Sequence, residues 1–506
     1  MEPPEAPAGH VYPTGMKLGL LMTSLYIAMF LVALVGWYGA AYMLTNCALL
    51  LVFGKIYIFL NVKTVFLTTV VLFEVASAVC GAAPNSVAFI IGRAIAGLGA
   101  AGVQEEILVL IVYAAPLAKQ PQYQGFFGAV YGISSIVGPL IGGAFTSNVS
   151  WRWCFYINLP FGGVVLLFVF FLLRVPEGVS FRDSPAVWKH KLAQLNLEGV
   201  VILLSGVVCL CLALQWGGFT YSWSDGRIIA LLTVVIVLLI AFISIQILRP
   251  KTATVPPHIF IQRSILARFW VSCTVGVHMT LFVYYLPIWF QTVKGDSAVE
   301  SGIHLLPMVI AMVVSSILSG IGTVRVGYYT PILIAGTCLV SVGSGLLTML
   351  QVDSTTGQWI GYKIVYGFGL GCCFQAPKMA AQTVLPRREV AIGASLMLFE
   401  QTLFGAIFVS VGQNVVDQRL ALLLARIAGV GLTPGEIESA GLTGLLDRTP
   451  SEDHPAVLEA YNSSLRLCFL AALAFACLSV IGSAGMEWRN KQVREEVKEA
   501  GRTRSL

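Results

Sequence analysis

Residues Gly128 to Gly143 read GAVYGISSIVGPLIGG and lie inside an uncharged run, 125–147, about one membrane thickness long. Glycines recur there at four-residue spacing, Gly128 with Gly132 and Gly138 with Gly142, and Gly143 follows directly. Bare backbone therefore lines one helix face, and a neighbouring helix can approach closely. Pro139 removes one helical hydrogen bond and bends the span. A span that is both close-packed and kinked suits a body that rocks between two packings.

The rest of the chain reads the same way. Of its 506 residues 57% are hydrophobic and only 11% charged, where soluble folds carry about 25% charged residues. Mean hydropathy is +0.82. That much apolar surface calls for a bilayer. The first sixteen residues, MEPPEAPAGHVYPTGM, are acidic and proline-rich with no basic start, so no cleavable signal peptide is expected. The eleven cysteines fall singly or in pairs, nearly all within apolar runs. They show no zinc-like spacing with histidine and read as small buried hydrophobes, so no metal is expected.

A span needs about 20 apolar residues. Candidates fall at 18–34, 36–53, 65–83, 87–113, 125–147, 158–173, 196–215, 228–248, 267–290, 301–321, 329–350, 358–384, 390–416 and 465–485. With the N-terminus inside, the cytoplasmic segments collect most of the 31 basic residues, among them Lys55, Lys63, Lys119, Arg174, Arg249, Arg325, Arg387 and Arg388. This is the positive-inside bias. It accounts for the net charge of +6 without a nucleic-acid partner.

The expected fold is an all-α polytopic membrane protein of about fourteen spans, two six-helix bundles plus an inserted helix pair. A cytoplasmic tail (1–16) leads into the first bundle (17–173), and 174–266 holds cytoplasmic loops and the inserted pair. The second bundle (267–485) carries a long outer loop (417–464), and 486–506 forms a cytoplasmic tail. Two short glycine-started turns, Gly54 to Lys63 (GKIYIFLNVK) and Gly320 to Tyr329 (GIGTVRVGYY), echo one another across the halves. Gly54, Lys63 and Arg325 are the candidate gating residues of these turns. The outer loop contains Thr433-Pro434-Gly435-Glu436, with capping-box spacing, and a second amphipathic piece from Ser451 onward.

Several stretches carry a family resemblance. The run from Gly128 to Gly143 resembles the antiporter motif in the fifth span of major facilitator exporters, on Gly128, Gly132, Gly138, Pro139, Gly142 and Gly143. VGWYGAAYMLT (35–45) resembles the start of span 2, and GRAIAGLGAAG (92–102) the span-4 motif with its membrane arginine, Arg93. WRWCFYINLP (151–160) resembles the turn between spans 5 and 6. GFGLGCCFQAP (367–377) and FVSVGQN (408–414) resemble spans 12 and 13. Together they resemble the fourteen-span drug:proton antiporter branch of the major facilitator superfamily, in particular its fungal toxin-efflux members.

The resemblance implies a monomeric plasma-membrane exporter, with the vacuolar membrane as the alternative. It implies no cofactor beyond the proton gradient, no enzyme activity, and a small amphipathic drug or secondary metabolite as substrate. A proton-coupled importer, for example of iron chelates, shares the architecture. One departure stands out. FLVAL (30–34) runs straight into VGWYG (35–39), where the family places an acidic residue, a Thr-Ile-rich stretch and an outer loop. A shortened span 1 makes an inactive relative the third reading.

Each ionisable side chain inside a span costs roughly 2.5–3.5 kcal/mol on insertion scales and asks for a reason. Glu74, near the centre of span 3, is a candidate proton carrier. Arg93 is a second proton-coupling candidate, since the resemblance implies that the span-4 arginine assists proton transfer. Glu105 and Glu106 are adjacent and point about 100° apart, so they read as snorkelling or local variation. Gln375, Glu400 and Gln401 are candidate polar anchors for a substrate, and Trp37 a candidate stacking surface. His278 reads as a satisfied packing residue, and Lys378 receives no role. Trp37, Trp151, Trp153, Trp216, Trp223, Trp289 and Trp488 fit an interfacial belt. Asn148 and Asn462 begin glycosylation sequons, both too close to the bilayer for use to be expected.

Overall fold

The computed structural model describes residues 40–114, 119–173, 195–218, 221–250, 252–385, 389–427 and 451–488, with four single positions between 16 and 23. Apart from those single positions and 486–488, the first candidate span and the tails lie outside the described residues, as do Trp37 and the Thr433–Glu436 turn. Among the described residues the chain forms helices, with one isolated bridge between Gly217 and Tyr221. The long ones are α1 (Ala40–Phe59), α2 (Val62–Ala82), α3 (Ser86–Ala114), α4 (Gln120–Asn148), α5 (Asn158–Leu172), α6 (Leu197–Trp216), α7 (Gly226–Leu248), α8 (Arg263–Val293), α9 (Leu306–Val326), α10 (Thr330–Leu347), α11 (Thr356–Val384), α12 (Val390–Leu424) and α13 (His454–Ala484). Ten stretches among the described residues are long and apolar enough to cross a membrane. The chain is an all-helical membrane protein.

Helix ends follow local chemistry. The Asn61 side chain accepts from Lys63 N at 3.0 Å and starts α2. Asn196, in the left-handed region, caps α6, and Asp225 caps α7. Gly327 closes α9 with φ 76°. The gating turns therefore sit later than the sequence implies. Gly54 is inside α1 and the chain reverses at Leu60–Asn61; Gly320 is inside α9 and the chain reverses at Gly327. Lys63 and Arg325 stand at the first and last turns of their helices. The segment read as an outer loop is shorter too: α12 continues to Leu424, and the piece beginning at Ser451 is a single 3₁₀ turn leading into α13. Polar residues in these extensions, such as Asp417, mask the helical continuation in a hydropathy reading.

Buried apolar side chains form two clusters. One is built by α1–α5 with parts of α6 and the start of α12; the other by α8–α13. The pair α6–α7 packs onto the first, with most of α7 turned outward. In lipid, helix association gains little from apolar burial, so close contact depends on small residues. A Cβ at Gly97 would meet the Tyr42 carbonyl of α1, and one at Gly99 the Phe73 backbone of α2. In α11, Gly367 stands against the Met308 backbone of α9 and Gly369 against the Val340 backbone of α10.

The glycine-rich α4 packs on α9, which belongs to the other cluster. Ser316 Oγ donates to the Gly125 carbonyl at 3.0 Å, and Gly132 lies against Val309 and Met312. At the end assigned to the cytoplasm, further contacts tie the halves to one another and to the segment between them. Gly54 abuts Ser395, Lys55 Nζ donates to the Thr252 carbonyl, and His258 pairs with Glu389 at 3.1 Å. A Cβ at Gly125 would lie 2.8 Å from the Ser316 oxygen, whereas one at Gly163 meets nothing within 4 Å. Gly125→Leu is expected to cost about 1–3 kcal/mol by overpacking. Its melting midpoint, followed by size-exclusion chromatography of heated detergent-solubilised protein, should fall. Gly163→Leu should leave the midpoint unchanged.

Candidate functional site

Arg93 projects from α3 and is only 1% exposed. Its guanidinium lies 4.7 Å from the centroid of Tyr42 on α1 and 5.8 Å from that of Phe155. Two aromatic faces replace the water that the charge has lost.

Glu74, the other proton-coupling candidate, faces elsewhere. The carboxyl is seated against α5 where Gly162 leaves room, and a Cβ there would overlap Oε1. Neither Glu74 oxygen has a hydrogen-bond partner among the described residues. One turn outward, Asn158 Nδ2 donates to Ser77 Oγ at 3.2 Å between the same two helices. Arg152, in the turn before α5, donates to the Gly81 and Ala83 carbonyls at 2.6 and 3.1 Å. The WRW segment is thus a staple on the outer end of α2. Arg93 and Glu74 occupy neighbouring helices but form no direct pair.

The adjacent glutamates of α3 do not snorkel: both are fully buried. Tyr57 Oη of α1 lies 2.9 Å from Glu106 Oε2 and 2.8 Å from the Gly102 carbonyl. One phenol proton serves one acceptor. Both contacts are met when Tyr57 donates to Gly102 and a protonated Glu106 donates to Tyr57. The sequence hides this group because its partner stands nearly fifty positions away on another helix.

Glu400 of α12 is also fully buried and lies beside Ser272 and Cys273 of α8. Gln401 Nε2 approaches Met279 Sδ at 4.0 Å, and its backbone packs on Gly276. Gln375 falls in α11, but its side chain lies outside the described residues, as does that of Lys378. His278 shares a 2.8 Å hydrogen bond with Tyr366 Oη. Trp289 leaves the interfacial belt: it is buried and donates to Asn462 Oδ1 at 2.8 Å. That bond also withdraws Asn462 from its sequon, while Asn148 is exposed at the end of α4. Among the described residues no cluster of three or more histidine, cysteine or acidic side chains could hold a metal.

A paired-core helical body with buried charges and inter-half contacts has direct counterparts. The Major Facilitator Superfamily model matches residues 14–409. The chain belongs to this superfamily. It is 47% identical to an MFS-type transporter of Claviceps purpurea, covering 96% of this chain and 89% of that one. It is 46% identical to the MFS-type efflux pump MFS1 of Arthroderma benhamiae (94% and 92%) and 43% identical to the efflux pump aflT of Aspergillus parasiticus (96% and 98%). Its fold resembles that of the human organic anion transporter MFSD10, with a TM-score of 0.57 at 11% identity over 92% of this chain and all of that one. This superfamily member is therefore a multi-pass membrane transporter and not an enzyme.

Tyr57→Phe leaves Glu106 and the Gly102 carbonyl without their shared hydroxyl. A loss of about 1–3 kcal/mol is expected, seen as a lower melting midpoint. Glu106→Gln, whose amide still donates to Tyr57 Oη, should melt close to the unsubstituted protein.

Proposed function

We propose that this transporter is a proton-driven exporter that carries a small amphipathic organic compound, a secondary metabolite or drug, out across the plasma membrane and works as a monomer. The observation that carries the reading is near-full-length similarity to relatives named as efflux pumps. The internal geometry supports it. α4 and α9 meet through Gly125, backbone against backbone, and Gly132, against the Val309 and Met312 side chains, so the two halves can slide or rock without unpacking a bulky interface.

In this reading the substrate passes between the halves, with Glu400 and Gln401 as polar anchors on α12. Proton binding falls to carboxyls buried without a fixed cation. Glu106 has a hydroxyl partner that accommodates either protonation state, and Glu74 sits in a hollow between α2 and α5. Arg93 sets the local field from α3. An anionic Glu74 or Glu106 held away from water costs several kcal/mol, so uptake of a proton is the step that lets each group stay buried while the halves move.

The test is efflux from cells stripped of their own pumps, loaded with rhodamine 6G, ethidium and a labelled anthraquinone. Expression should lower retention of at least one probe, and a protonophore should restore it. Arg93→Ala should slow efflux by about tenfold or more, the equivalent of about 1.4 kcal/mol, with surface expression unchanged. Accumulation instead of depletion would favour the importer. Efflux indifferent to the protonophore would remove the proton from the scheme.

A further inference from the structure

Both halves bury a cation at the same place. α3 and α11 are each 29 residues long, and Arg93 and Lys363 each stand eighth from the start. In each helix glycines follow at four and six positions, Gly97 and Gly99 in one, Gly367 and Gly369 in the other. The first glycine of each pair meets α1 or α9, and the second meets α2 or α10. RAIAGLG and KIVYGFG are thus one structural unit used twice. Lys363 is fully buried, like Arg93, and its Nζ lies 4.1 Å from the centroid of Phe290 and 3.9 Å from that of Trp359. The chemistry differs in one respect. A guanidinium keeps its proton, whereas an ammonium can release one.

The surroundings of Lys363 connect it to the outer surface. Nζ donates to the carbonyl of His304, the last residue of the short helix Ala298–His304. The His304 ring stacks beside Phe290 and Trp359 at 5.0 and 4.8 Å, and its Nδ1 lies 2.7 Å from Asp296 Oδ2. A Ser297–Glu300 capping box starts this short helix. It packs on α8 and α9 and also on α4, which belongs to the other half. The other charged groups nearby are accounted for. Lys294 is bound to the Val352 and Ser354 carbonyls, Glu300 is turned to Ser297, and Asp353 lies in the α10–α11 loop. α4 and α10 contain no charged residue, and that of α9, Arg325, is at the opposite end. Tyr366, one turn along α11, is bonded to His278.

We propose that Lys363 is a second proton-binding site and that its charge clamps the 298–304 helix across the outer ends of the two halves. A proton from the outer medium adds to the amine lone pair. The resulting ammonium binds the His304 carbonyl and the Phe290 and Trp359 faces, and the helix is held down. Loss of that proton removes the cation–π attraction and weakens the bond to the carbonyl, and the helix lifts from α11. Protonation from outside therefore closes the outer side, the order a proton-driven exporter requires. The inference deepens the proton-driven reading above, but its test involves neither efflux nor substrate.

The full chain in lipid nanodiscs is followed by hydrogen exchange of the peptide covering 298–304, corrected for intrinsic rates, from about pH 5 to about pH 9. Exchange in the unsubstituted protein should be about tenfold slower at the acid end than at the alkaline end, a tenfold change in the clamp's closing equilibrium. Lys363→Arg, which keeps the charge at every pH, should be protected throughout. Lys363→Gln should exchange fast throughout. A flat profile in the unsubstituted protein overturns the proposal. So does a Lys363→Arg or Lys363→Gln protein that titrates as the unsubstituted one does, since the His304–Asp296 pair would then be the sensor. If Lys363→Gln fails to fold, the Lys363→Arg profile decides alone.

Discussion

Helices in a bilayer cannot rely on squeezing out water, and this transporter holds together where its backbones touch. α3 and α11 are the two keels. Each uses one glycine to seat one neighbour and a second, two residues on, to seat another. Two residues turn the helix by about 200°, so the paired glycines serve nearly opposite faces. A single keel can therefore clamp two partners and still leave a third face for a charged side chain.

Once packing is set by bare backbone, each buried ionisable group needs a local solution. Arg93 lies on aromatic faces, Glu106 shares a hydroxyl with Tyr57, Glu74 fills the space that Gly162 lacks, and Glu400 rests beside Ser272. None of these carboxyls is locked to a cation by an ion pair among the described residues. A carboxyl tied to arginine would stay charged through every conformation. One held by a hydroxyl or by a hollow can change its proton without losing its place. Three acid–base contacts between described residues, Arg249–Glu198, His258–Glu389 and His304–Asp296, lie at the helix ends, where water or headgroups supplement them.

The all-helical, membrane-spanning character and the superfamily were legible because they rest on composition and on local motifs. The direction in which a side chain points was not. A helix such as α2 is apolar nearly all round, so no stripe in its sequence distinguishes the face toward α5 from the face toward α3. Nothing in the sequence of α2 therefore tells that Glu74 lies against Gly162 of α5. Trp289 was assigned to the belt because tryptophan near a span end normally sits there; only the tertiary fold brings Asn462 to its indole. The late reversals at Asn61 and Gly327 have the same cause, since Gly54 and Gly320 resemble turn residues until their close neighbours across the helix are known.

The repeated keel bears on the shortened first span. A transporter built from two similar halves holds two copies of each structural position, and a chemical task lost from one can pass to the other. The segment after Leu34 lacks the acidic residue that the resemblance places there. In the second half the cation at the keel position is a lysine whose carbonyl partner belongs to a strip linked through His304 and Asp296 to the outer surface. Arginine in one keel keeps its charge, whereas lysine at the same position in the other is able to release its proton. On the proposal above, the asymmetry between Arg93 and Lys363 divides between the halves a task that a fixed charge could not perform in either.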